Sequence, residues 1–169
     1  MAVVVFLRGM NLGSRRITND DLAAAFGRLG FTDPTPYQAS GNVILPDVDD
    51  VDAADLSAGL TSELGYEVPV FVRTEAELEK IAASPLNGES GAEGGKPQIV
   101  FLQHAPEADL NGVFRPTDRF EPIGNEIHWL PSGGMADSGD VQKGLDTVLG
   151  LTTVRTLGTV QRLMKKLAG

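Results

Sequence analysis

The sequence predicts an α+β protein built from two tandem ferredoxin-like units, each with the element order βαββαβ, followed by an extra C-terminal helix. Three observations lead to this prediction. The β-branched, apolar run at residues 2–8 is typical of a strand buried on both faces. Apolar residues three and four positions apart then predict amphipathic helices. Finally, the same succession of strand and helix signals starts again at residue 98.

The first unit is predicted from helix caps and strand runs. Thr18 is expected to cap a helix, with Asp21 at its third position, and Gly30 closes that helix. The elements expected after it are two short strands within 35–46 around a turn at 40–42, a helix from about 52 to 64, a strand at 67–72, and a helix that opens with the capping box at 74–77 and runs to Pro85.

The second unit follows a glycine-rich stretch at 87–96, which we interpret as a flexible connector. Its Gly-Gly-Lys sequence is not a phosphate-binding P-loop, because Pro97 follows the lysine and a helix precedes it while a strand follows. The elements expected next are a strand at 98–102, a short helix at 106–114, a hairpin of 119–123 and 126–130 turned at Gly124-Asn125, a helix at 138–149, a short segment at 152–155, and a last helix from Leu157. We therefore expect domains at 1–84, with a linking helix, and 97–169, or else one compact domain.

Composition excludes several classes of function. The chain has 169 residues and no cysteine, which excludes a disulfide framework, a thiol nucleophile and a cysteine-ligated metal. His104 and His128 lie in different predicted elements, so we expect no metal site and no cofactor. No run approaches the roughly 18 apolar residues of a membrane span. We expect a soluble, cytoplasmic protein without a membrane partner, and the oligomeric state stays open.

Charge is distributed unevenly along the chain. Residues 1–18 carry +3 and residues 141–169 carry +4, whereas residues 19–140 carry −16, for a net charge of −9. Such an acidic body repels nucleic acid at long range, so we do not expect a nucleic-acid partner. The two basic ends would form a cationic patch only if they met, and the C-terminal lysines alternatively complement a helix dipole.

Three polar stretches stand at the ends of predicted elements, at 8–13, 38–42 and 153–159. Each combines glycine, amide or hydroxyl groups, and two of them add an arginine. Backbone N–H groups, amides and a bidentate guanidinium are what a phosphate or carboxylate site uses. The alternative is ordinary turn and cap chemistry. The candidate ligand-binding residues are Arg8, Asn11, Ser40, Asn42 and Arg155.

The same stretches, FLRGMNLGSRR, YQASGNVIL and TTVRTLGTVQRL, resemble signature blocks of the bacterial family called domain of unknown function 1697. The resemblance spans essentially the whole chain and implies a two-unit α+β fold, but no established activity. The chain departs from the family pattern at Ala39, Thr156 and Leu157, and a lysine frequent in the family is absent from 134–139. The matching positions are Arg8, Gly9, Asn11, Gly13, Tyr37, Ser40, Gly41, Asn42, Arg155 and Thr159.

Three functions remain open. The first is binding of a small anionic ligand, bearing phosphate or carboxylate, in a cleft formed by the three polar stretches, with or without a reaction. The second is a structural or protein-interaction module in which those stretches only brace the fold. The third is weak RNA binding on the sheets, which we rank last because the predicted strands lack an aromatic and basic block. No residue stands out as a nucleophile or general base, so the sequence does not decide whether the protein is an enzyme.

Overall fold

The structure, a computed structural model, describes residues 1–8, 17–37, 41–134 and 139–168. Within these ranges the chain is a mixed α+β protein with two four-stranded antiparallel sheets and five helices. It divides into two compact units, Met1–Leu78 and Glu79–Gly169. The elements in chain order are β1 Ala2–Leu7, α1 Asn19–Arg28, β2 Thr35–Pro36, β3 Asn42–Pro46, α2 Ala53–Leu64, β4 Val70–Thr74, α3 Glu75–Ala82, β5 Gln98–Leu102, β6 Arg119–Ile123, β7 Glu126–Leu130, α4 Gly139–Leu149, β8 Thr152–Thr156 and α5 Leu157–Ala168.

The sheet of the first unit has the strand order β2-β3-β1-β4. The apolar run of β1 lies between two antiparallel neighbours, where Phe6 is opposite both Asn42 and Phe71. Alternate residues of β1 pack against the apolar faces of α1 and α2, and Phe26 and Leu60 of those helices are fully buried. Burying one such side chain contributes about 1.5–3 kcal/mol, so this interface accounts for the position of both helices.

Capping residues mark the helix boundaries of this unit, and Thr18 is the predicted one. The Thr18 hydroxyl accepts a hydrogen bond from the Asp21 N–H at 3.0 Å, and Asp52 accepts one from the Asp55 N–H at 2.9 Å. Gly65 ends α2 with φ of +80°, a conformation that glycine adopts without steric cost.

The last strand of the first unit begins later than predicted. The sequence suggested 67–72, but β4 runs from Val70 to Thr74. Pro69 has no N–H for the ladder, and its carbonyl accepts from the Arg8 N–H at 3.1 Å just beyond the last residue pair. The capping box that opens α3 is present, because Thr74 and Glu77 each accept a hydrogen bond from the other's N–H.

The sheet of the second unit has the strand order β6-β7-β5-β8. Its core contains an aromatic cluster in which Phe114 stacks on Phe120, with ring centroids 4.4 Å apart, and lies 5.6 Å from Trp129. Val141 and Leu145 of α4 pack against the same cluster. The predicted hairpin is present, and Gly124 has a positive φ at its turn.

The prediction of a short helix at 106–114 is wrong, because residues 103–118 contain turns and no helix. Gly112 has φ of +87°, which interrupts helical geometry, and the Asp109 side chain accepts from the Asn111 N–H at 2.9 Å. This local turn replaces a helical hydrogen bond. Leu110 and Phe114 nevertheless reach the core, so the apolar spacing was a packing signal rather than a helix signal.

The connector predicted to be flexible is a folded part of the second unit. The N–H groups of Glu93 and Gly95 both donate to the Ser132 carbonyl, at 2.6 and 3.1 Å. A Cβ atom on Gly91 or Gly95 would overlap the Pro131 carbonyl oxygen, so these glycines allow backbone to pack directly on backbone. The domain limits 1–84 and 97–169 stay a prediction, because division into compact units does not identify independently folding domains.

Candidate functional site

Arg8 lies directly after β1, which ends one residue earlier than the strand predicted at 2–8. The Leu7 N–H donates to the Gly41 carbonyl at 2.8 Å, and the Arg8 N–H donates to the Pro69 carbonyl at 3.1 Å. The end of β1 is therefore hydrogen-bonded to the chain on both sides of it. Arg8 is half-buried. The loop at 9–16, which includes the candidate Asn11, lies outside the described residues.

Asn42 is fully buried, and it closes the connection between β2 and β3. Its side-chain amide donates to the Tyr37 carbonyl at 3.1 Å, while its own carbonyl accepts from the Tyr37 N–H at 2.8 Å. These contacts give Asn42 a structural task in the first unit. Ser40 falls in the segment 38–40, which also lies outside the described residues.

Arg155 projects from β8 in the second unit, opposite Ile99. One guanidinium nitrogen donates to the Thr153 hydroxyl at 2.7 Å and to the Val154 carbonyl at 3.0 Å, so the side chain folds back along its own strand. Burial lowers the pKa of Arg155 to about 10, because desolvation disfavours the charged form. The guanidinium still carries its charge at neutral pH.

The five candidates are thus divided among the described first unit (Arg8 and Asn42), the described second unit (Arg155), and segments outside the described residues (Asn11 and Ser40). The prediction that they share one cleft stays a prediction.

A groove of about 440 Å³ opens at the start of α5 in the second unit. The sequence reasoning did not assemble this site, which we call the α5 groove. Its lining includes two cations, two amides, a hydroxyl, a carboxylate and a glycine, contributed by Lys96, Arg162, Asn87, Gln161, Thr156, Glu89 and Gly158.

Hydrogen bonds orient the side chains of the α5 groove. The Thr156 and Thr159 hydroxyls lie 2.9 Å apart, and the Arg162 guanidinium donates to the Thr159 hydroxyl at 3.2 Å. On the other wall, the Gln161 amide donates to the Asn87 side-chain oxygen at 2.9 Å. A spacing of three places Thr156, Thr159 and Arg162 along one side of the helix start, which is the signal that could have identified this site.

The electrostatics of the α5 groove favour negative charge. Lys96 and Arg162 are cations, and the positive end of the α5 dipole points the same way. Glu89 also lines the groove, but its carboxylate pairs with Arg119. The Leu157 N–H donates to the Pro97 carbonyl and the Thr159 N–H to the Thr156 hydroxyl, with Gly158 between them on the groove wall. Because these two N–H groups already have acceptors, a carboxylate or phosphate group in the groove would meet chiefly the cationic side chains of Lys96 and Arg162.

Ser84, which comes shortly before the groove residue Asn87 in the chain, makes a buried contact with a histidine. The Ser84 hydroxyl and His128 Nδ1 are 2.7 Å apart, and both residues are buried. Burial lowers the pKa of His128 below its ordinary value, and Glu121 opposes this effect in part. Alternation along β7 packs Ile127 and Trp129 in the core of the second unit and puts His128 on the opposite face of the sheet.

Two further kinds of site were sought in the part of the chain that the structure describes. No group of three or more histidine, aspartate or glutamate side chains there could hold a metal ion. None of the described helices is both long and apolar enough to span a membrane.

The comparisons with known proteins agree with the resemblance seen in the sequence blocks. A family model described as "Protein of unknown function (DUF1697)" matches residues 1–128. The chain belongs to the DUF1697 family. The match ends at His128, so the α5 side of the groove lies beyond the part of this DUF1697 protein that the family model matches.

A solved structure shares the fold of this DUF1697 protein. It is that of the conserved bacterial protein SP0830 from Streptococcus pneumoniae, with a TM-score of 0.69 and 17% sequence identity over 99% of this chain and 98% of that chain. At this identity the likeness shows the fold alone. No curated protein matches the chain.

Proposed function

We propose that this DUF1697 protein binds a small anionic ligand that carries a phosphate or carboxylate group. The observation that supports the proposal is the α5 groove, where Lys96 and Arg162 line an open polar cavity at a helix start. The sequence-derived residues Arg8, Asn11, Ser40, Asn42 and Arg155 remain proposed ligand contacts of the same chemical class. No reaction is assigned.

Arg162 is the proposed principal contact. Its guanidinium is already oriented by the Thr159 hydroxyl, so less side-chain entropy is lost when it binds a ligand. A hydrogen bond to a charged group contributes about 1.5–3 kcal/mol. Because Arg162 and Lys96 are exposed, we place their combined contribution at the low end of that range, and we expect weak binding that salt reduces further.

The test is a titration with inorganic phosphate, followed by thermal unfolding and by calorimetry. Ligand bound only to the folded state raises its stability as the phosphate concentration passes the dissociation constant. Arg162→Gln should weaken phosphate binding by up to about tenfold. Lys165→Gln is the matched control, because it removes one exposed positive charge from the same helix outside the groove lining. Equal losses in the two variants, or no binding by the unaltered protein, would contradict the proposal.

A structural role for the signature stretches is the second candidate. It is supported by the hydrogen bonds of Asn42 and Arg155, which run to groups near them in the chain. In that case Arg155→Lys should lower the melting temperature equally with and without phosphate, because lysine cannot reproduce the guanidinium contacts. If Arg155 contacts the ligand, the same variant should instead lose mainly the phosphate-dependent increase.

We also propose that each unit is a ferredoxin-like unit. The support is that both sheets arrange their four strands in the same way, with the second-to-third strand hairpin at one edge and the fourth strand at the other. The weak RNA-binding alternative would need exposed strand aromatics, and Phe6, Phe71 and Phe101 are buried. Nothing in these residues favours RNA over a small anion.

A further inference from the structure

Part of the α5 groove lining, which we call its wall, belongs to the segment 84–89 that follows α3. Asn87, Gly88 and Glu89 line the groove. The segment is attached at three points: Asn87 accepts from Gln161, Glu89 pairs with Arg119, and Ser84 contacts His128. Of these three polar attachments only the third is buried, since Ser84 is 5% and His128 2% exposed, and the Leu86 side chain of the segment is buried as well. Among the polar contacts, the position of the wall therefore depends most on the Ser84–His128 contact, because exposed pairs contribute little.

The partners of the Ser84 hydroxyl favour one direction of that hydrogen bond. The Leu86 N–H donates to this oxygen at 3.2 Å, which uses one of its lone pairs. A hydroxyl has a single proton to donate, and a neutral imidazole can accept it at Nδ1. The arrangement is satisfied when His128 is neutral with its proton on Nε2. With the hydrogen bond in this direction, the Ser84 hydroxyl proton has the ring as its acceptor only while Nδ1 carries no proton.

Protonation of His128 breaks this arrangement. A histidinium carries N–H groups at both nitrogens, so Nδ1 becomes a donor and can no longer accept the hydroxyl proton. The Ser84 hydroxyl would have to accept from Nδ1 and from Leu86 and send its own proton elsewhere. A buried cation would also lie in the sheet where desolvation penalises it.

We propose that protonation of His128 detaches the segment 84–89 from β7 and thereby weakens anion binding in the α5 groove at acidic pH. The binding half of this inference rests on the proposed function, whereas the detachment does not. The consequence is an acid-sensitive wall, closed at neutral pH and loosened as the ring gains its proton.

Other charged groups near His128 in the second unit do not supply the missing compensation. Glu121 is opposite His128 on β6 and favours the protonated ring, but it is exposed. Glu126 and Arg119 lie on the same face, one pleat away, and Arg155 lies across β5 opposite Ile99. From β5 the facing residue is Ile99, which is apolar and buried. Because these charges are of both signs, desolvation remains the largest influence on the pKa of His128.

The experiment measures amide hydrogen-exchange protection of Leu86 and Asn87 by NMR at a series of pH values between about 7.5 and 5, corrected for intrinsic exchange rates. The Leu86 N–H donates to the Ser84 hydroxyl and the Asn87 N–H to the Ser84 carbonyl, so both report on the attachment. Below about pH 6.5 the opened state takes up a proton that the closed state resists. Protection should therefore fall, by up to about tenfold per pH unit.

The decisive variant is His128→Asn, which keeps an acceptor near the position of Nδ1 but does not titrate. It should lose the acid-dependent fall in protection, although the smaller side chain lowers overall stability. His104→Asn is the matched control, because His104 is the other histidine of the chain and is exposed. It should behave like the unaltered protein. Protection that stays constant with pH, or an equal fall in His128→Asn, would overturn the inference.

Sulfate binding provides the second measurement, because sulfate remains a dianion over this range and its own titration does not interfere. If the unaltered protein binds sulfate at pH 7.5, its dissociation constant should rise on acidification, and that rise should be absent in His128→Asn. If sulfate does not bind at any pH while the amide protection still falls, the proposed function fails and the acid-sensitive detachment stands. Binding whose pH dependence is the same in both proteins would overturn the regulation instead.

Discussion

The two units arrange their strands alike but differ in the segment that connects the first strand to the second and packs on the sheet. We call this segment the cover. In the first unit, α1 connects β1 to the strands β2 and β3 and buries Phe26 against the sheet. In the second unit, residues 103–118 make the equivalent connection without a helix, and Phe114 enters the core from a turn. One strand order is thus compatible with a regular and an irregular cover.

The difference shows what each cover needs in order to stay in place. The helix forms its backbone hydrogen bonds internally. Only the N–H groups at its start need another acceptor, and a capping residue supplies one. The irregular connection has fewer internal backbone hydrogen bonds, so it depends on side chains that attach it to the sheet. Asp118 is such an attachment, because its carboxylate accepts from Trp129 Nε1 at 3.1 Å and from the Ser132 N–H at 3.0 Å.

The largest effect should come from removing the aromatic anchor of the helical cover. Phe26→Ala is expected to lower the free energy of unfolding by about 3–5 kcal/mol, because a fully buried ring in a rigid helix leaves a cavity. Phe114→Ala should cost closer to about 2 kcal/mol, since Phe114 lies at the rim of its cluster and the turn around it can relax into the space. Urea denaturation followed by circular dichroism, and by the fluorescence of Trp129, measures both.

An equal or larger loss in Phe114→Ala would show that the irregular cover is as rigid as the helix. The fluorescence of Trp129, the one tryptophan of the chain, reports on the second unit and gives the comparison a local readout.

A smaller effect is expected from cutting the attachment of the irregular cover. Asp118→Ala leaves the Trp129 and Ser132 N–H groups without their acceptor, which should lower stability by about 2 kcal/mol or less, because the site is only part-buried. Asp109→Ala is the control in the same connection. It removes one exposed hydrogen bond, to the Asn111 N–H, and should change stability by about 0.5 kcal/mol. A control that is as damaging as Asp118→Ala would contradict the special role of that carboxylate.

The smallest effect tests the start of the helical cover. Thr18→Ala removes the acceptor for the Asp21 N–H and should lower stability by about 1 kcal/mol in thermal or urea unfolding. Thr18→Ser retains the hydroxyl and should be nearly neutral. If the two variants were equally destabilising, the methyl group rather than the cap would be responsible.

The strands and capped helices were predictable because their signals are local. Thr18, Asp52 and the Thr74–Glu77 box mark helix starts within four residues, and the α+β class follows from the order of elements. The cover at 103–118 was not predictable in the same way. Leu110 and Phe114 are spaced like residues on one face of a helix, yet Gly112 and Asp109 form turns instead. The core contacts that favour the turns come from strands distant in sequence.

The candidate site was predictable only in part. The sequence singled out Arg8, Asn42 and Arg155 because they lie near the ends of predicted elements. The partners of Asn42 and Arg155 are backbone carbonyls and a hydroxyl, which chain order alone does not reveal. The α5 groove was missed because Lys96 and Arg162 are far apart in sequence, and Lys96 belonged to a stretch interpreted as a linker. Spacing identifies residues on one element but not those that meet across two elements.

The contact of Gly91 and Gly95 with the end of β7 has a consequence for how such sequences are compared. A glycine-rich stretch of this kind is easily masked as low-complexity filler before homologues are aligned. Here the lack of side chains at Gly91 and Gly95 lets one backbone pack on another. The hydrogen bonds to the Ser132 carbonyl come from backbone N–H groups, so they do not depend on the side chains at positions 92 and 93. The information in the stretch is therefore the absence of a side chain at two positions four residues apart, and masking it would discard the segment that secures the end of a core strand.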